Sequence, residues 1–346
     1  MNRAHVPGMA VAIVKDGQLK WSKGYGLAEI STNRAVTTTT PFMLASVSKT
    51  IAGTALMQVQ ESGAFQLDDT IESSLGIPFR HPAYPAVPPT YRQLLSHTAG
   101  IRDNWNIMER YIVDGDSPIP LVPYVAEYLR PGGRIFDASR NFSNHAPGAG
   151  YEYTNLGYAA VGALVQANTG IDFADWCDAN IFQPLGMTNT SWFLSGLNVS
   201  EIAVPYNWRI FGGGWGRVEH YGYPDYPNGQ LRSSVDDLST FLMAHIEDGI
   251  ANGTRILNAA TVQEMRTIQF PSIDNLQGLA FYTWTVSGDV RIGHSGGDTG
   301  VITEMWYRES DGAGVIVLAN SAAEMPWEFN AIRDVVNTLF DYSETL

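Results

Sequence analysis

The chain has 346 residues, 45% of them hydrophobic and 16% charged, enough for one large domain or two intimate ones with a substantial core. A formal charge of −14 argues against nucleic acid and anionic membranes as partners, since both need clustered Lys and Arg. No apolar run reaches the length of a membrane span, and Cys177, the one cysteine, can build neither an intrachain disulfide nor a cysteine zinc site.

In chain order, the apolar run Met9 to Val14 and the stretch Leu19 to Tyr25 flank Asp16-Gly17, a hairpin signal because both central residues must accept positive φ. The chain enters this strand-like segment within eight residues, so no signal peptide is legible; that suits a cytoplasmic protein as written, or an exported one already trimmed. Leu44 to Ser62 reads as a helix with Val47, Ile51, Ala55 and Val59 on one stripe and Gly63 at its end. Helices follow over Asn155 to Ala167, Asp175 to Phe182 and Asp236 to Glu247, the last opened by Ser234 with Asp237 at capping-box spacing. Cys177 falls in a helical run and reads as a buried structural thiol.

Residues 102–150 and 204–230 are long, irregular and rich in Gly, Pro, Tyr and Trp, as functional loops are. Near the carboxyl end, Phe281 to Val286 and Val290 to His294 flank Ser287-Gly288-Asp289, and Ile302 to Arg308 and Val315 to Asn320 flank a turn with Asp311-Gly312. Phe329 to Phe340 reads as a closing amphipathic helix. These elements predict an α/β (α+β) fold: an antiparallel sheet built from both termini, helices on both faces, and an inserted, mainly helical domain. The expected division is 1–65 with 255–346 for the α/β part and 66–254 for the helical part, the active site lying in the cleft between them.

Lysine usage carries the sharpest signal. Only Lys15, Lys20, Lys23 and Lys49 occur, and no lysine follows Lys49, whereas arginine is used throughout. Lys49 stands three residues after Ser46 inside an apolar helix, so the two side chains share a face. A serine hydroxyl needs a base beside it to become a nucleophile. A desolvated lysine can lose its proton, and a guanidinium cannot.

Two further segments extend the pattern. Tyr153-Thr154-Asn155 opens a helix, and His294-Ser295-Gly296-Gly297 ends a strand. With Ser46-Val47-Ser48-Lys49 they run in the order Ser-x-x-Lys, Tyr-x-Asn, His-x-Gly. This resembles the serine β-lactamase and penicillin-binding-protein superfamily, in the branch with class C β-lactamases, D-peptidases and β-lactamase-like carboxylesterases. The resemblance covers essentially the whole chain, and Leu94 to Ile101 and Asn228 to Leu238 look like further segments of that branch.

The resemblance implies a β-lactamase/transpeptidase-like fold and an acyl-enzyme on Ser46. Lys49 would help deprotonate it, and Tyr153, its pKa lowered by nearby cations, would move protons to and from the leaving group and water. Asn155 would position the substrate or Lys49. His294, Ser295, Gly296 and Gly297 would line the site, the N–H groups of Ser46 and Gly297 forming an oxyanion hole. His97 reads as structural. No cofactor or metal is expected.

Where many relatives have Lys-Thr-Gly this chain has His294-Ser295-Gly296, and a neutral histidine anchors a carboxylate poorly. This lowers the expectation of β-lactamase activity, while a histidine here also resembles some D-peptidases; the expected substrate is an ester or small amide, with D-amino-acid peptides close behind and β-lactams third. A non-catalytic penicillin-binding sensor or scaffold is the alternative of another class, disfavoured because Ser46, Lys49 and Tyr153 are all present. Gly293-His294-Ser295-Gly296-Gly297 also fits the Gly-x-Ser-x-Gly elbow, but no helix and no histidine follow it. Trp208, Trp215, Tyr221 and Tyr223 are expected to wall the pocket, with residues 212–216 as a flexible pocket loop. The oligomeric state is not legible.

Overall fold

A computed structural model describes residues 5–209, 213–322 and 325–346. Seven strands form one antiparallel sheet: β1 (Gly8–Lys15), β2 (Gln18–Glu29), β3 (Arg34–Ala35), β4 (Tyr282–Val286), β5 (Asp289–Asp298), β6 (Val301–Tyr307) and β7 (Gly314–Ala319). Their spatial order is β4-β5-β6-β7-β1-β2-β3. The two ends of the chain meet where β1 pairs with β7, Met9 opposite Ala319 and Val14 opposite Gly314. Each expected hairpin is present. Asp16 and Gly17 take φ of 51° and 65°, the two-residue turn whose twist suits antiparallel strands. The second turn is Ser287-Gly288, because Asp289 already pairs with Val286.

Alternation along β1 explains why the strand reads as a continuous apolar run: both of its faces are covered. Ala10, Ala12 and Val14 face a core shared with α1 (Ser48–Glu61), α2 (Asn155–Thr169) and α3 (Val235–Ile246). Met9, Val11 and Ile13 face the opposite layer, where Ile332, Val336 and Phe340 of α4 (Pro326–Ser343) lie. The expected layering is thus the observed one, with helices on both sides of the sheet.

Local departures have local causes. Leu121–Leu129 is a helix inside the stretch expected to be irregular; its Pro123 falls in the first turn, where no N–H partner is needed. The run expected as one helix over Asp175 to Phe182 is three joined turns from Phe173 to Leu185, the middle one a π-type turn. Ser234 does cap α3, accepting from the Asp237 N–H at 3.2 Å. Asp237, however, does not reciprocate; its carboxylate accepts from Asn189 and Thr190 instead, so only half of the capping box forms. Cys177 is buried, and burial pushes its thiol pKa up, which suits the structural reading.

Candidate active site

Ser46 lies in a tight 3-10 turn, Ala45–Val47, that runs straight into α1. Ala45 holds φ at 47°, a conformation that costs a non-glycine residue of order 1 kcal/mol and persists only when its surroundings enforce it. The enforcement is visible. The Leu44 N–H donates to Leu231 O at 2.8 Å, and Leu44 O accepts from Thr303 Oγ1 at 2.6 Å. Beside the turn, Gly296 on β5 is packed so closely that a Cβ there would meet Thr303 Oγ1 at 2.3 Å, Leu44 O at 2.5 Å and Ser46 N at 3.0 Å. Gly297, next along the strand, opens onto empty space. The N–H of Ser46 is therefore carried against the end of β5 that bears Gly297.

Lys49 is fully buried one turn along. Its Nζ donates to Ser46 Oγ at 3.0 Å, to Asn155 Oδ1 at 2.7 Å and to the Asn228 carbonyl at 2.9 Å. Desolvation drives its pKa down from 10.5 to about 7, against the pull of Asp103, Asp225 and Asp298. The amine also sits 4.9 Å from the centre of the Tyr153 ring. Distant segments thus converge: Ser46 and Lys49 from α1 and its leading turn, Tyr153 and Asn155 from the start of α2. In α2 the N-cap is Thr154, accepting from Gly157 N at 3.2 Å. Asn155 is thereby freed from capping and turned towards the lysine.

Tyr153 departs from expectation in its protonation. Burial pushes its pKa above the ordinary phenol value, and the Ser46 hydroxyl acts weakly the other way. The expected lowering by cations is absent because burial outweighs the other influences on the phenol. The residue is 38% exposed to the cleft, and its phenol is a protonated donor at neutral pH. Behind it His97 packs with ring centres 4.4 Å apart and accepts from the Thr154 N–H through Nδ1 at 3.1 Å. This is the structural role read from the sequence.

His294 is buried against Tyr282 and Tyr153. Burial and Lys49 hold its pKa down at about 3, so the ring is neutral. Its Nδ1 lies 2.5 Å from Ser295 O, which makes that nitrogen the donor. Ser295 Oγ bonds the Tyr282 hydroxyl at 2.7 Å.

Two hollows flank this group, of about 510 Å³ and 500 Å³. Ser46, Tyr153 and Gly297 line both, so the hydroxyl, the phenol and the open glycine stand on the ridge between them. The first hollow carries Asp225, Asp298 and Glu152, and its Arg102 is already engaged with Glu152 at 3.4 Å. The second carries Asp274.

A family model described as Beta-lactamase matches residues 1–336. The chain belongs to this family. It is a family of serine hydrolases, and the protein is accordingly a hydrolase. Penicillin-binding protein 4 of Amycolatopsis lactamdurans is 26% identical over 355 residues, covering 97% of this chain and 86% of its own. The D-amino acid amidase from Ochrobactrum anthropi SV3, solved with L-phenylalanine amide, aligns at a TM-score of 0.77 and 22% identity over 98% of this chain and 95% of its own. EstCE1, a hydrolase with promiscuous acyltransferase activity, aligns at 0.70 and 20% over 93% and 90%. At these identities the structural likeness speaks for the shared fold.

Other residues of the site escaped sequence reasoning. Asp103 accepts the N–H groups that open α2, and Asp225 accepts from Asn228 Nδ2 at 2.8 Å. Neither lies in a catalytic motif; Asp103 stands two residues past the Leu94 to Ile101 segment, the nearest signal. Conversely, of the four aromatics expected at the pocket only Tyr223 lines it. Trp208 and Trp215 pair across a short hairpin, and Trp208 stacks on His5 at 4.1 Å. The Tyr221 hydroxyl is spent on Thr299 O. Trp105 takes their place in the pocket wall. Of the expected pocket loop, Gly212 lies outside the described residues, and Trp215 and Gly216 belong to that hairpin.

Proposed function

We propose that this hydrolase cleaves esters and small amides through a covalent acyl-enzyme on Ser46. The observation that carries the reading is Lys49, an amine with pKa about 7 lying 3.0 Å from the Ser46 hydroxyl on a ridge between two hollows. Near neutral pH about half of the chains carry a neutral amine, ready to accept the hydroxyl proton. Ser46 Oγ then bonds to the substrate carbonyl carbon. The Ser46 and Gly297 N–H groups receive the oxyanion, where one such donor is worth roughly 3–4 kcal/mol.

As the intermediate collapses, the bond to the leaving group breaks and Tyr153 donates its proton to that group. The enzyme is left with an ammonium beside a phenolate. In the second half, water gives its proton to the Tyr153 phenolate and its oxygen attacks the acyl carbon. Ser46 Oγ departs and recovers its proton from Lys49. All three groups end as they began.

Substrate class follows from charge. A neutral His294 and an Arg102 engaged with Glu152 offer a carboxylate no anchor, and Asp298 and Asp274 oppose one. This favours neutral esters and amides over penicillins and peptides with a free C-terminus. Among amides, those bearing an ammonium group match the acidic lining, and the likeness to a D-amino acid amidase points the same way. Matched assays with p-nitrophenyl esters, D- and L-amino acid amides, D-Ala-D-Ala peptides and a fluorescent penicillin test the reading. Esters and amides should lead; preferential turnover of the carboxylate-bearing substrates would refute it.

A further inference from the structure

None of the three acceptors around Lys49 is a carboxylate. The nearby acids act on it only through space, and two of them are held one residue away. Asp103 Oδ2 accepts from Asn155 Nδ2 at 2.9 Å, and its two oxygens also take the Asn155 N–H at 2.9 and 2.8 Å, the Leu156 N–H at 3.0 Å and Thr154 Oγ1 at 2.8 Å. An amide whose NH₂ is committed to a carboxylate can present only its oxygen elsewhere. Flipping Asn155 would set oxygen against carboxylate and NH₂ against amine. Asp225 is likewise kept one residue away on the other side: Asn228 Nδ2 donates to Asp225 Oδ2 at 2.8 Å and to Asp225 O at 2.6 Å, while the Asn228 backbone carbonyl, an acceptor in any case, faces the lysine.

We infer that Asp103 is a positioning residue that aims the base: by locking Asn155 as a pure acceptor it fixes where the Lys49 lone pair points. A neutral amine has two N–H groups. The Asn155 oxygen and the Asn228 carbonyl are acceptor-only and claim both, which leaves the lone pair to the third neighbour, the Ser46 hydroxyl. Keeping the carboxylate behind the asparagine matters as much. In direct contact it would clamp the lysine as ammonium and remove the base. This inference rests on Lys49 being the base, as proposed above.

The test uses the full chain with a p-nitrophenyl ester from pH 5.5 to 9.5 and three variants: Asp103→Asn, Asn155→Asp, and the two combined. Asp103→Asn lets Asn155 turn, and kcat should fall about 10–100-fold with KM changed less than about twofold, the scale of a small misplacement of catalytic groups. The double variant restores the pair with its polarity exchanged. The amide then stands at position 103, and the carboxylate at position 155 touches Lys49. It should regain at least about tenfold over Asp103→Asn at high pH, with the acid limb of kcat/KM raised by at least about one pH unit. Asn155→Asp alone sets two carboxylates side by side and should raise the same limb without regaining kcat.

The other groups near the amine, Asp298, His97 and His294, with the rings of Tyr153 and Tyr158, are unchanged in every variant. Asp225, itself at about 7 and coupled to both Asp103 and Lys49, is controlled by repeating the profiles with Asp225→Asn added, where a limb that still moves reports the 103–155 pair. Wild-type kcat in Asp103→Asn, a loss confined to KM, or a double variant whose acid limb stays put overturns the inference. Should Asp103→Asn fail to fold, the double variant alone decides by that limb. Failure of the underlying reading looks different: Lys49→Met would then retain activity.

Discussion

Replacing Lys49 with Met removes a buried amine whose protonation differs between folded and unfolded chain, and the consequence can be worked out. In the fold its pKa is about 7, and unfolded it is near 10.5. Between these values the unfolded chain binds more protons than the folded one, so stability due to this group rises with pH and is lost as pH falls towards 7. From pH 7 to pH 9 the wild type should gain about 2 kcal/mol relative to Lys49→Met, from 1.36 kcal/mol per unit of pKa difference. Asp225, itself at about 7 and held down in part by Lys49, would titrate higher in the variant and add in the same direction. Urea denaturation of both proteins at the two pH values measures the double difference, which cancels groups insensitive to the substitution. A difference that stays constant would mean that Lys49 titrates as an ordinary surface lysine, and such an amine could not serve as the base.

Three further outcomes are expected. Gly296→Ala should lower the melting temperature and cut kcat at least about tenfold, because its Cβ would collide with Thr303 Oγ1 and Leu44 O and push the Ser46 turn; Gly297→Ala, with open space around it, should melt as wild type. Trp105→Ala should change the preference among acyl groups in an ester series, whereas Trp215→Ala, away from the pocket wall, should not. The kcat/KM profile should show its acid limb near pH 7, where Lys49 and Asp225 both titrate, and no contribution between pH 5 and 8 from His294, which stays neutral there; an inflection in that range abolished by His294→Gln would contradict the neutral ring.

What the sequence disclosed depended on where each piece of chemistry resides. In the candidate site, Ser46 and Lys49 were legible because they stand three residues apart at a helix start, where spacing fixes a shared face, and Tyr153 and Asn155 through the resemblance that the order of the three motifs carries. The sheet was legible because three hairpin turns separate its short apolar runs. Asp103 was not, since its role comes from tertiary contacts with the start of α2, which no local pattern encodes; Asp225 binds Asn228 three residues on within one turn, but its place beside Lys49 is set by the fold. Aromatic content marked 204–230 as interesting but could not say which way Trp208 and Trp215 turn; stacking on His5 decides that. Proximity of the Tyr153 phenol to a lysine suggests a pKa lowered by a cation, and only the fold shows that burial raises it instead. The helix Leu121–Leu129 carries a stripe of Leu121, Tyr124, Val125 and Tyr128 that the surrounding prolines obscured.

The most direct test is intact-mass spectrometry of the protein quenched during turnover of a slow ester. An acyl-enzyme requires a mass increase equal to the acyl group, located by peptide mapping on Ser46 and lost in Ser46→Ala together with activity. An adduct on another residue, or turnover that survives in Ser46→Ala, would contradict it.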